Sequence, residues 1–121
     1  MQIKKSVLLD VIDAARNTFP DEFFAMLAVK EKEGLVEEFV VVPAVFGKAH
    51  TIIRSDLVPF DKKIVGSVHS HPSPNAFPSS ADINSFRHFG EIHLIIAAPF
   101  NLSSINAFDW KGKRIELKVV D

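Results

Sequence analysis

The chain contains no cysteine. That absence excludes disulfides, thiolate metal sites and a cysteine nucleophile together. An excess of charge of either sign is also missing: fourteen basic side chains stand against fifteen acidic ones, a formal net charge of −1. No strong field draws nucleic acid or an anionic membrane surface, so neither is expected as a partner. Long hydrophobic runs are lacking too. The longest, "FFAMLAV" and "FVVVPAVF", fall far short of the roughly 20 residues of a spanning helix. Asp10, Asp13 and Arg16 interrupt "MQIKKSVLLDVIDAARNTF", so no signal-peptide core is expected there. Repeats, linkers and low-complexity segments are absent. A cytoplasmic protein is the expectation, since a cysteine-free chain suits a reducing interior.

What is present is a globular composition. Hydrophobic residues make up 47% and charged residues 24% of 121 positions, which suffices for one domain over 1–121 with its own core. Ser6 can cap a helix whose apolar stripe is Val7, Leu8, Val11, Ile12 and Ala15. Pro20 disfavours helical geometry before it, so the helix ends between Asn17 and Pro20. From Phe23 to Val29 both alternating faces are apolar, the pattern of a central strand. "KEKEG" then turns, and Leu35 to Val45 gives a hairpin partner. Ala49 to Ile53 is a third strand, and "RSDLVPFDKK" a connection.

Ile64 to His69 is a fourth strand. Asp82 to Phe89 reads as a helix with Ile83, Phe86 and Phe89 inward and Gly90 just past its end. "IHLIIAA", "SINAFDW" and "RIELKVV" follow as strands, the last two flanking the turn "KGK". Helix, strands, helix, strands is an α/β (α+β) order, with a mixed, mainly antiparallel sheet flanked by helices.

The chemistry concentrates in "GSVHSHPSPNAFPSSADINSF", Gly66 to Phe86. In a strand, residues two apart point to the same side, roughly 6–7 Å apart along the chain. His69 and His71 can therefore converge on one ion while Ser70 points away. Pro72 supports this by holding the residue before it extended. Pro74 and Pro78 stiffen the loop that returns to Asp82, the third candidate ligand. Two neutral imidazoles and a carboxylate leave a fourth tetrahedral position for water, the arrangement of a catalytic zinc rather than a closed structural one. A plainer reading of Ser79-x-x-Asp82 is a helix cap, with Asp in place of the usual Glu or Gln. His50, His88 and His93 have no ligand-like spacing and are read as surface or core histidines.

The combined spacing, His-x-His-Pro, six residues, Ser, two residues, Asp, resembles the signature of the JAMM (MPN+) zinc metalloprotease family. The resemblance covers nearly the whole chain and is nearest to the small single-domain archaeal members. It implies a cytidine deaminase-like fold with a curved sheet between helices. It implies one Zn2+ per chain held by His69, His71 and Asp82 with a bound water, and Ser79 as a donor to the oxyanion. The family's upstream glutamate matches Glu22 in "PDEFFAML", with Asp21 as the competitor that strand alternation sends the other way. The zinc deaminases themselves need a P-C-x-x-C half-site that a cysteine-free chain cannot supply.

The resemblance further implies an isopeptidase acting where the Gly-Gly end of a ubiquitin-like or small archaeal modifier joins a lysine. Modifier proteins and their conjugates are then the partners, with homodimerisation left open. A groove taking that tail as an added strand would select glycine, which alone lets the backbone approach so closely; Phe77 at the loop tip can line it. Three other readings stay open. One is a processing peptidase for a ubiquitin-like sulfur carrier. Another is a non-catalytic scaffold, against which the intact ligand set argues. The third is a two-His-one-carboxylate iron oxygenase, whose ligands are usually spaced differently.

Overall fold

The computed structural model describes residues 1–41, 44–46, 51–53 and 63–121. In chain order the elements are β1 (Gln2–Lys4), α1 (Lys5–Thr18), β2 (Phe24–Val29), β3 (Leu35–Val36), β4 (Glu38–Val40), β5 (Ala44–Phe46) and β6 (Thr51–Ile53). There follow β7 (Lys63–His71), α2 (Ser80–Phe86), β8 (Ile92–Ala97), β9 (Ile105–Phe108), β10 (Arg114–Ile115) and β11 (Lys118–Val120). The main sheet runs β10-β9-β8-β7-β2-β4. Every pair in it is antiparallel except β7 with β8, which are parallel and joined through α2. The fold is therefore mixed α/β around a mainly antiparallel sheet, as expected.

The sheet separates two layers of helix. On one face Ala25, Leu27, Val68, Leu94 and Ile96 pack against Val7, Leu8, Val11, Ile12 and Ala15 of α1, the stripe expected from the helical period. On the other, Ile95, Ala97 and Phe108 pack against Phe86 and Ile83 of α2. β2 is buried along its whole length, as its two-sided apolar pattern requires.

Four expectations need correction. Ser6 does not cap α1: the helix starts at Lys5, and Lys4 stands at the cap without a side-chain bond. β1 feeds directly into α1 and pairs in parallel with both β3 and β11, so sheet pairing sets the helix start. The single strand expected over Leu35–Val45 is broken. β3 joins β1 in a small second sheet while β4 turns to β2. "RIELKVV" divides in the same way between β10 on β9 and β11 on β1. Finally, α2 occupies Ser80–Phe86, starting and ending earlier than the expected Asp82 to Phe89. Part of the third strand is present as β6, paired with β5. His50 and all of the connection "RSDLVPFDKK" except Lys63, which opens β7, lie outside the described residues.

β7 and β8 approach closely at Gly66. A Cβ there would stand 1.6 Å from the carbonyl oxygen of Ile92. Gly90, at φ 122°, lies against the backbone of Val65. Together they seat β8 beside the strand that carries both histidines of the motif.

Candidate metal centre

β7 ends at His71, so alternation puts His69 and His71 on the α2 face. Their Nε2 atoms face each other at 3.0 Å. α2 supplies the third group: Asp82 Oδ1 lies 3.3 Å from His69 Nε2, and Oδ2 3.2 Å from His71 Nε2. One ligand atom from each of the three residues lies within 4.8 Å of the others. Bonds of about 2.0–2.2 Å at a tetrahedral zinc place ligand atoms about 3.3–3.6 Å apart. The two imidazole nitrogens are within a few tenths of an ångström of that separation and each meets a different oxygen of Asp82, so the donor set suits zinc in its chemistry and is gathered closely enough to share one ion.

Local structure prepares each ligand. His71 Nδ1 lies 2.8 Å from the carbonyl oxygen of Asn75, a partner that only accepts. In neutral His71 the proton therefore sits on Nδ1 and the lone pair on Nε2, the tautomer a metal needs. The Ser79–Asp82 capping box is present as read from the sequence. Asp82 N–H donates to Ser79 Oγ at 3.1 Å, and Ser79 N–H donates to Asp82 Oδ2 at 2.9 Å. The carboxylate that completes the cap is thus the one that stands beside both imidazoles. Ser79 accepts the cap bond through an oxygen lone pair and keeps its own O–H for donation.

The charges agree with this picture. Burial opposes ionisation of Asp82, but hydrogen bonds from His69 and His71 outweigh it and hold the carboxyl well below the usual range. Burial also works against a charge on His71. The Asp82 hydrogen bond, the Asn75 carbonyl and the negative charges of Asp82 and Glu22 prevail, so its pKa lies above that of an ordinary histidine.

Glu22 precedes β2. Phe24 opposes His69 and Ala25 opposes Val68, so the antiparallel register carries Glu22 to the His71 end. Glu22 is half-buried and its charge reaches His71. Asp21 is exposed. The structure therefore brings Glu22, His69, His71, Asp82 and Ser79 to one end of the sheet and leaves Asp21 in solvent. His93 is core, fully buried, with Nδ1 2.7 Å from Ser67 Oγ and Nε2 donating to Gly90 O at 2.8 Å. His88 is exposed. Phe77 is 52% exposed, edges onto Phe108, and lines a cleft with Pro74, Pro99 and Asn106.

Two supporting contacts were not read from the sequence. The Asn75 contact uses a backbone carbonyl, which leaves no mark on residue type. Asn106, on β9, donates from Nδ2 to the carbonyl of Ala76 at 3.2 Å and ties the proline-rich loop to the sheet. Its partner is thirty residues away, beyond any local pattern.

A sheet between two helices, with a His-x-His strand end facing an acidic helix start, defines a metal-site domain of the JAB/MPN type. The chain belongs to the family of prokaryotic homologues of the JAB domain, which matches residues 4–111. A probable metalloprotease of Haloferax volcanii is 33% identical over 119 residues, covering 91% of this chain and 73% of that protein. The crystal structure of a JAB1/MPN domain protein from Archaeoglobus fulgidus superposes with a TM-score of 0.83 at 34% identity, with both chains fully covered. A second solved structure, of JAMM, a metalloprotease-like zinc site in the proteasome and signalosome, superposes at 0.79 with 32% identity. It covers 100% of this chain and 98% of the other.

Proposed function

We propose that the chain is a zinc-dependent metalloprotease that hydrolyses the bond between the Gly-Gly end of a ubiquitin-like modifier and a target lysine. One observation carries the reading: His69, His71 and Asp82 bring one ligand atom each within 4.8 Å of the others, and the charge of Glu22 reaches His71. The Haloferax relative and the JAMM zinc-site structure support it as similar proteins. No helix among the described residues is long and apolar enough to cross a membrane. A cytoplasmic setting belongs to the same reading.

His69, His71 and Asp82 would hold the ion. Zinc in such a site acts as a Lewis acid toward an amide carbonyl and lowers the pKa of water to about 7. The remaining work falls to side chains. Glu22 takes a proton from the attacking water and returns it to the leaving lysine amine. The Ser79 O–H donates to the oxyanion that develops on the carbonyl. Asn75 keeps the proton of His71 on Nδ1 throughout. No acyl-enzyme forms, so a chain without cysteine loses nothing. The cleft beside Phe77 gives the substrate backbone a surface next to the ligand loop.

The test is cleavage of modifier–lysine conjugates by the zinc-loaded protein, with linear modifier fusions in parallel. Isopeptide cleavage abolished by chelator and restored by zinc is the expected result. Cleavage of linear fusions alone identifies a processing peptidase instead. Stoichiometric zinc without cleavage of either rejects the proposed substrate class.

A further inference from the structure

Ser70 stands between the two histidines and faces the opposite side of the sheet, where it is 1% exposed. It binds no part of the proposed metal site. Its partner is Phe23, forty-seven residues earlier. In a regular antiparallel ladder, such opposed residues exchange two backbone bonds. One is regular here: Ser70 N–H donates to Phe23 O at 2.9 Å. The other goes to the side chain: Phe23 N–H donates to Ser70 Oγ at 2.7 Å.

That nitrogen belongs to the peptide joining Glu22 to Phe23. The peptide is planar, so anchoring its N–H fixes the position of the Glu22 Cα from which the side chain leaves. β2 begins only at Phe24, and the ladder itself has no hold on Glu22. The Ser70 hydroxyl is thus the last clamp before that residue, and it comes from the residue between His69 and His71. Misplacing a reacting group by about 1 Å can cost about 100-fold in rate, so a clamp at this point has leverage on the chemistry.

We propose that Ser70 is a positioning residue for Glu22. Its hydroxyl locks the Glu22–Phe23 peptide onto the strand that carries the metal ligands, and so holds the carboxylate in reach of the attacking water. This rests on the reading of Glu22 as general base, and the experiment separates the two.

Ser70→Ala, Ser70→Thr, Glu22→Gln and the Ser70→Ala/Glu22→Gln double variant are compared with the wild type in zinc affinity, Phe23 amide exchange and conjugate cleavage. Ser70→Ala is expected to bind zinc within about threefold of wild type. Its Phe23 amide exchanges at least about tenfold faster while that of Ala25 is unchanged. Its kcat falls at least about tenfold with KM preserved, and Ser70→Thr recovers most of the loss. In the Glu22→Gln background the same substitution costs less than about twofold. Should Ser70→Ala not fold, Ser70→Cys, whose thiol accepts poorly, is expected to show the same kcat loss with zinc bound. Wild-type kcat in the folded variant despite faster Phe23 exchange overturns the inference. So does a loss in kcat explained by lost zinc. An inactive Glu22→Gln combined with a fully additive Ser70→Ala loss overturns the inference alone. Full activity in Glu22→Gln overturns the general-base reading, and the inference with it.

Discussion

His71 gives its Nδ1 proton to the carbonyl oxygen of Asn75 at 2.8 Å, and this bond aims its Nε2 at Asp82. The same nitrogen is where a proton competes with a metal. Because the pKa of His71 in the metal-free protein is raised, that competition starts at a higher pH than for an ordinary histidine. Zinc affinity should be greatest above this pKa and fall steadily as pH is lowered through it. Asp82 stays ionised over that range, its own pKa being held low. Isothermal titration with zinc at several pH values would show a proton released on binding. Affinity independent of pH from 5 to 8 would contradict the assignment of His71.

Replacing His71 by alanine removes one of three protein ligands. Zinc affinity should drop by about 100-fold or more, beyond the 10- to 100-fold typical of losing a supporting partner. The fold should persist, since the core on the α1 face does not include this residue. Metal content by mass spectrometry and a thermal melt on the same sample check both halves.

Glu22 and Asp21 are adjacent but differently placed. Glu22→Gln keeps size and hydrogen bonding while removing the proton acceptor. It should retain zinc and lose activity by about 100- to 10,000-fold, the range of general acid–base contributions. Asp21→Ala should stay within about twofold of wild type, because that side chain is exposed. Loss of zinc from Glu22→Gln would instead make Glu22 a ligand.

His93 is fully buried, stacked at 4.1 Å on Phe86, and bonded to Ser67 and Gly90. Burial is the main reason its pKa falls from 6.5 to about 4. The unfolded chain therefore takes up a proton near pH 6.5 that the folded one refuses until about pH 4. The stability from this group is complete above the unfolded value and is lost as pH falls through the folded one. The loss is on the order of 3 kcal/mol. Urea unfolding of wild type and His93→Gln at pH 7 and pH 4 should give a smaller pH dependence for the variant. Equal slopes would remove His93 from acid sensitivity.

At Gly66 an added Cβ collides with backbone, not with a side chain that can turn away. Gly66→Ala should lose at least about 3 kcal/mol of stability, the upper range for overpacking. Because β7 bears both histidines, zinc affinity should weaken as well. Urea denaturation and a zinc isotherm measure the two effects; wild-type stability would mean that β7 and β8 can part without cost.

The legible parts of this protein were the local ones. His-x-His at a strand end and Ser-x-x-Asp at a helix start each follow from the period of one element. The α1 stripe and the two-sided burial of β2 follow likewise from residue pattern. Four-residue spacing could not reveal that the Asn75 carbonyl sets the tautomer of His71, since every residue type carries a carbonyl.

Sequence by itself determined which side chains can ligate, which faces are apolar, and the cap that holds Asp82. Tertiary structure alone decided that β1 pairs with β3 and β11, and that "RIELKVV" is shared between two sheets. It alone placed Glu22 beside His71 and the Phe23 amide on Ser70. The physical reason is separation along the chain. Strands of two or three residues have too few positions to show a period. A hydrogen bond across forty-seven residues depends on a register set by the packing of the whole sheet, not by its two ends.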